Sequence, residues 1–484
     1  MPFSKTPQTS TYQTKEVSLL NEWETRDATS TKDNDAVNCF YEIIQNKKTG
    51  DKEHWVIKRD GTVAYPYVAD SSTIRGCYYW EDQDKLYIAT SDDIAIVTAS
   101  TGTLVATLST AFGTTTGTVG FCEFLFDTNN TKICATDGTT LITIDSANTK
   151  VIVTDVDLPA PHIPQPVFLD GYLFLVKTDT ADIYNSDLNN PTAWTSGDFL
   201  TAEMTADKIR AIANLNNYLI IFGSGSIEYF FDAGNAAGSP LQKYDTPHKY
   251  IGYVGGLAKS GNDLIFVGNT NASGNQIYLA RDLKVDPIST PPIRRAAGSY
   301  TTMNAAVISY GGHDFYHLNI DSLSYQYDLK TELWTRTAFK GTEYLPIIYA
   351  VSVNVTGVGT VSITAHSGSS TLYYFKPSAY RDDATNFTMR IITDNQLFDT
   401  YRQKTCSRML LLGDRSSSSA NASVSWTDND YQSYSTPRNI DMSVEFPVLT
   451  QLGQFRRRAW KIEWTQNLPM RFKHIEVDLN MSQA

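Results

Sequence analysis

Residues 172–184 read YLFLVKTDTADIY: an apolar run, a short polar turn, and a second run ending on β-branched and aromatic residues. That order marks a β-hairpin. The unit recurs as KLYIATSDDIAIVTA (85–99), KICATDGTTLITID (132–145), YLIIFGSGSIEYFF (218–231), DLIFVGNTNASGNQIYLA (263–280), DFYHLNIDSLSYQYD (314–328) and VSITAHSGSSTLYYF (361–375). Successive copies start 47, 40, 46, 45, 51 and 47 residues apart, close to the ~40–50 residue period of propeller blades. Each hairpin follows another apolar segment, such as GFCEFLF (120–126) or IRAIANL (209–215), so each repeat has enough strands for a four-stranded blade. Blades stacked round an axis bury both faces of every sheet and leave few edges. The expectation is an all-β fold, a β-propeller of about six to seven blades over residues 53–380. A chain of β-sandwiches is the alternative reading of the same spacing.

Beyond about residue 381 the period is lost. Longer strand-like runs, NFTMRIITD, TCSRMLLLGD, ASVSWTD, RAWKIEWTQ and RFKHIEVDLN, alternate with Ser/Asn/Asp-rich loops, which predicts an attached C-terminal β-sandwich-like domain over 381–484, serving as an assembly platform. Residues 1–52 are polar until VNCFYEII and are expected to extend over other elements. The best short helix candidate is TAEMTADKIRAI (201–212).

Composition narrows the function. The chain has 484 residues, 41% hydrophobic, 12% aromatic and 19% charged, with a net charge of −12. An acidic surface repels phosphates, which argues against a protein that grips nucleic acid. The five cysteines, Cys39, Cys77, Cys122, Cys134 and Cys406, form no CxxC pair and indicate neither a disulfide framework nor a zinc site. The N-terminal residues show no signal-peptide pattern and no run reaches the ~18 apolar residues of a membrane span, so synthesis in a cytoplasm without membrane insertion is expected.

Motifs for catalysis are missing. No GxxxxGK[ST], GxSxG or HExxH occurs, and GSGS (223–226) reads as a hairpin turn. His313 and His317 would share one strand face, but no third ligand accompanies them and they are read as structural. With 52 acidic residues a glycosidase-like carboxylate pair is always imaginable and therefore uninformative. No catalytic residue, metal ligand or cofactor is assigned. In QFRRRAWKIEW (454–464), Arg456, Arg457 and Arg458 alternate faces along a strand, which suits carboxylate pairing at subunit contacts better than groove reading.

A resemblance adds to this. The run Asp170–Gly234, DGYLFLVKTDTADIYNSDLNNPTAWTSGDFLTAEMTADKIRAIANLNNYLIIFGSGSIEYFFDAG, resembles the central region of the packaged-DNA stabilisation, or tail nozzle, proteins of short-tailed bacteriophages. AVNCFYEI (36–43), RGCYYWEDQDKLYIATSDDIAIV (75–97), IGYVGGLAKSGNDLIFVGNTNASGNQIYLARDLKVDPIST (251–290) and HDFYHLNIDSLSYQYDLKTELWTR (313–336) are similar to further elements of that family, in the same order. The C-terminal part fits loosely, and 454–477 lacks the family's glycine turn.

The resemblance implies a non-enzymatic virion protein of the phage tail. It implies six copies in a ring below the portal and adaptor proteins, contacts to tail fibres or tailspikes and to a tail needle or plug, and genomic double-stranded DNA passing through the lumen without sequence-specific binding. It makes SDLNNPTAW (186–194) a structural turn: Asp187 and Asn190 bond their own backbone, Pro191 fixes φ, Trp194 anchors packing, and Ser186 opens the element. Acidic side chains along the lumen would let DNA slide. The runner-up is a propeller-type receptor-binding or polysaccharide-degrading tail protein. Against it, Asn190-Pro191 stands where a glycosidase turn needs glycine.

Overall fold

The computed structural model describes the chain except residues 1–11, 21–33, 46, 48–49, 51, 72, 128–129, 204, 206, 236–237, 245–248 and 482–484. Among the described residues there is one α-helix, Pro291–Gly298, and otherwise almost only strands. The seven repeated hairpins are the two middle strands of seven four-stranded antiparallel units. Six of these units are separate sheets. The remaining one, Met303–Tyr310 through Trp334–Thr337, continues into a nine-stranded sheet. We number them blades 1 to 7 from Ile74–Trp80.

Alternation along the strands explains why the repeats are continuously apolar rather than half polar. In Tyr218–Gly223, Leu219 and Ile221 pack toward blade 3, while Ile220 and Phe222 pack toward blade 5. In Lys85–Thr90, Leu86 and Ile88 face blade 7, and Tyr87 and Ala89 face blade 2. A strand buried on both faces reads as an unbroken hydrophobic run. Each junction between neighbouring blades has its own buried core, and the last of them joins blade 7 to blade 1. The inner strand of blade 7, Ile347–Val355, touches the inner strand of blade 1. The ring closes there because Gly61–Val68, from ahead of blade 1, pairs antiparallel with Thr371–Lys376 as the outer strand of blade 7.

Blade packing demands glycine where an inner strand begins. A Cβ on Gly76 would lie 2.3 Å from the carbonyl oxygen of Val119, and one on Gly120 only 2.1 Å from that of Pro164. Both neighbours are backbone, so they have little freedom to yield.

The second body is a sandwich built from both ends of the chain. One sheet carries Tyr12–Ser18, Cys39–Gln45 and Lys52–Lys58 together with Lys404–Gly413, Val448–Thr450, Gln454–Phe455 and Arg471–Met481. The facing strands are the far half of the nine-stranded sheet: Asp35–Val37, Met389–Ile392, Ala459–Trp464, Asn421–Thr427 and Arg438–Asp441. Their shared core holds Tyr41, Val56, Met409, Trp460, Trp464 and Phe472. Two expectations change. Lys52–Lys58, assigned by sequence to the propeller, pairs with Cys39–Gln45 and with the C-terminal strand, and its Val56 enters the sandwich core. The helix expected at 201–212 is not formed: Ile209–Leu215 is the inner strand of blade 4, where Ala211 and Ile212 serve two different blade junctions. Tertiary packing overrides a short helical pattern there.

Candidate functional site

The stretch Ser186–Trp194 is a tight hairpin at the outer edge of blade 3. Asp187 pairs with Asn190 across Leu188 and Asn189, and Asn189 adopts φ 58°, the left-handed conformation that asparagine tolerates. Ser186 is buried. Its Oγ accepts from the Leu173 backbone N–H at 3.0 Å and donates to the Asp187 carbonyl at 3.0 Å. Asn190 makes the expected Asx turn, its Oδ1 accepting from Thr192 N at 3.1 Å and Thr192 Oγ1 at 2.8 Å. Asp187 does not: its carboxylate instead accepts from Thr195 Oγ1 at 3.3 Å, because the two-residue hairpin already closes the backbone. Pro191 sits in the outermost strand, where no ladder partner needs its missing N–H.

Trp194 is 4% exposed and joins blade 3 to blade 2. Its ring packs with Phe124, Leu141, Val153 and Leu175, its Nε1 donates to the Pro191 carbonyl at 3.2 Å, and its backbone N–H donates to Asp155 Oδ2 at 3.1 Å. The hairpin therefore welds two blades.

A second cluster fixes the propeller to the sandwich. Arg59 and Asp382 are fully buried where the chain crosses between the two bodies, at 2.9 and 2.6 Å in a bidentate pair. Arg59 also donates to Asn38 Oδ1 at 2.9 Å, the Asp60 carbonyl at 2.8 Å and the Ala338 carbonyl at 2.7 Å, and it lies over the Phe387 ring. The guanidinium thus reads four chain segments at once. Neighbouring charges are strongly perturbed. Burial pushes Lys58 down to about 7 and Asp60 up to about 6.

His313 lies at the same joint, its Nδ1 2.8 Å from Asp328 of blade 6 and its Nε2 2.8 Å from Glu42 of the sandwich. Burial works to lower its pKa, but the hydrogen bonds to Asp328 and Glu42 outweigh it and hold the imidazole above its ordinary value. His317 is separate, and burial takes it down to about 4. The two histidines do not form a metal site, and no cluster of metal-ligating side chains occurs among the described residues.

The three arginines divide. Arg458 is 1% exposed and cannot be a subunit contact: Asp428 fills its fork at 2.7 and 2.8 Å, and Phe455, Trp426 and Trp460 surround it. Arg457 pairs with Asp430. Arg456 is the exposed member, bonding the Tyr401 carbonyl at 3.3 Å. Arg456 and Arg457 lie in the bend between Gln454–Phe455 and Ala459–Trp464 rather than along a strand, and the acceptor that draws Arg458 inward is thirty residues away.

Many carboxylates are turn acceptors. Asp137 accepts from Thr114, Thr139 and Thr140; burial opposes its ionisation, yet these bonds prevail and hold it down to about 2. Two clefts remain. One of about 480 Å³, lined by Lys259, Ser309, Tyr349 and Ser352, lies along the inner strands of blades 5 to 7. The other, of about 540 Å³, lies at the edge of blades 3 and 4 and is lined by Asp170, Asn216, Asn217, Tyr218, Phe231 and Asp232.

A β-propeller body with an attached β domain is what the sequence resemblance implied. A family model described as "Bacteriophage P22 Gp10, beta-propeller" matches residues 67–335, from the closing strand through the outer strand of blade 6. The chain belongs to this phage stabilisation family. Membership makes it a phage structural protein. Comparison with curated proteins returns no match. Among solved structures, the N-terminal domain of Nup159 is similar at 10% identity and TM-score 0.42, covering 71% of this chain and 98% of its own. BamB from Moraxella catarrhalis follows at 12% and 0.38, covering 71% and 99%. A streptogramin B lyase follows at 9% and 0.41, covering 66% and 97%. These TM-scores are low, and the likeness bears on neither activity nor partners.

Proposed function

We propose that this family member is a non-enzymatic tail nozzle subunit. Six copies form a ring below the portal and adaptor, retain packaged DNA and give it a path for ejection, and fibres or tailspikes and a needle or plug attach to the same assembly. The observation that carries this reading is the family match over residues 67–335. The channel of this reading is formed between copies. With a net charge of −12, acidic side chains along such a channel let phosphates slide rather than bind.

The test is electron microscopy of the purified protein, alone and with tailless capsids of the same phage. A sixfold ring, free or at the portal vertex, is expected. A monomer that never engages the vertex would overturn the reading. The cleft holding Asp170, Asp232, Tyr218 and Phe231 is the observation that favours the second reading, polysaccharide binding or cleavage. Shortening of host capsular or lipopolysaccharide sugar, abolished in Asp232→Asn, would move that reading to the front.

A further inference from the structure

Blade 2 holds two cysteines that face each other. Cys122, on the inner strand Gly120–Asp127, is the direct antiparallel partner of Cys134 on Asn130–Thr136. Both are free thiols, and they are close enough to hydrogen bond to each other. Cys134 is buried in the junction with blade 3, beside Phe124, Leu173 and Trp194, whereas Cys122 is only half-buried. No other cysteine has such a neighbour in register. Cys77 lies opposite Ile88, Cys39 opposite Lys58, and Cys406 opposite Leu479.

We propose that Cys122 and Cys134 are a reversible oxidation site, closing a cross-strand disulfide when a small-molecule disulfide replaces the reducing environment of the cell. Directly opposed residues have Cβ atoms ~4.5–5.5 Å apart, and a disulfide draws them to ~3.8 Å, so the two strands must approach by about an ångström. That strain makes the bond reducible, not permanent. The half-buried thiol is the entry point. Cys122, deprotonated, attacks one sulfur of glutathione disulfide, forming a mixed disulfide and expelling one glutathione thiolate, which takes up the proton. Cys134 then loses its proton, its sulfur attacks Cys122 Sγ, and the second glutathione leaves as thiolate. Two protein thiols have lost two electrons and two protons, and one glutathione disulfide has become two thiols. Its bond to Cys134 raises the Cys122 thiol well above its ordinary pKa, as does burial, and this makes closure slow, because only the thiolate attacks.

The test uses the intact folded chain. It is incubated with glutathione disulfide, quenched with N-ethylmaleimide under denaturing conditions, and analysed by intact mass and peptide mapping. All five cysteines label before oxidation. Afterwards the protein is expected to be lighter by two hydrogens, with Cys122 and Cys134 alone unlabelled and their peptides linked, and dithiothreitol should restore full labelling. Cys77→Ser should behave as the native chain, and Cys122→Ser should lose the linkage. Full labelling after prolonged exposure, a persistent glutathione adduct at Cys122, or linkage through a different cysteine would overturn the proposal.

Discussion

Replacing Asp382 by alanine should unfasten the sandwich from the propeller. The carboxylate accepts two bonds from Arg59 and further bonds from Thr62 N at 3.2 Å, Thr62 Oγ1 at 3.1 Å and Lys340 N at 3.3 Å. Its removal strands a guanidinium with no exposure, and breaking a buried pair by deleting one partner costs ~3–5 kcal/mol. Orphaning the Thr62 amide adds ~1–3 kcal/mol. Arg59 keeps its acceptors on Asn38, Asp60 and Ala338, which moderates the loss, so the net effect should be ~3–5 kcal/mol. Arg59→Met with Asp382→Leu should be less damaging than Asp382→Ala alone, since the pair is then replaced by apolar contacts around Phe387. Urea unfolding followed by tryptophan fluorescence measures both. An Asp382→Ala chain within ~1 kcal/mol of the native one, or a double variant whose loss equals the sum of the single losses, would refute the reasoning.

Trp194→Ala should destabilise by ~3–5 kcal/mol, because it empties the junction of blades 2 and 3, while Trp194→Phe should lose less than half of that; urea midpoints decide. Gly120→Ala should lose ~1–3 kcal/mol or more, read by thermal melting, since its Cβ meets the Pro164 backbone. For His313, whose folded pKa is raised, the contribution to stability is complete below the unfolded value of ~6.5 and is lost as pH climbs through the folded value; His313→Gln should flatten that slope in melts run from pH 5 to 9. For Asp60, raised to about 6, stability should fall as pH rises from ~4 to 6, and Asp60→Asn should remove that step.

The propeller was legible because each hairpin is a local event whose alternate residues feed two neighbouring blades, so the repeat unit is written seven times between Lys85 and Phe375. The sandwich was half legible. Its C-terminal strands announced themselves, but Tyr12–Ser18 finds its partner at His474–Asn480, and no local pattern records a pairing across that separation. In Ser186–Trp194 the Asx turn at Asn190 was legible, while the closed two-residue turn left no such role for Asp187. Arg458 misled because three adjacent arginines look alike in sequence. Asp428 distinguishes them only after folding. The joint at Arg59 and Asp382 was missed altogether, since neither residue belongs to a motif and the pair spans 323 positions.

The closing strand has a mechanical consequence. The chain leaves the sandwich at Asp60 and returns from the propeller after Lys376, and Gly61 lies directly opposite Lys376 in the pair that seals the ring. A pull on the sandwich therefore enters two adjacent strands at the same end and in the same direction. The seal is not peeled open. Both strands are dragged together, and the load passes sideways as shear into Gly359–His366 and the rest of blade 7. Tension along this axis leaves the clasp of the ring shut.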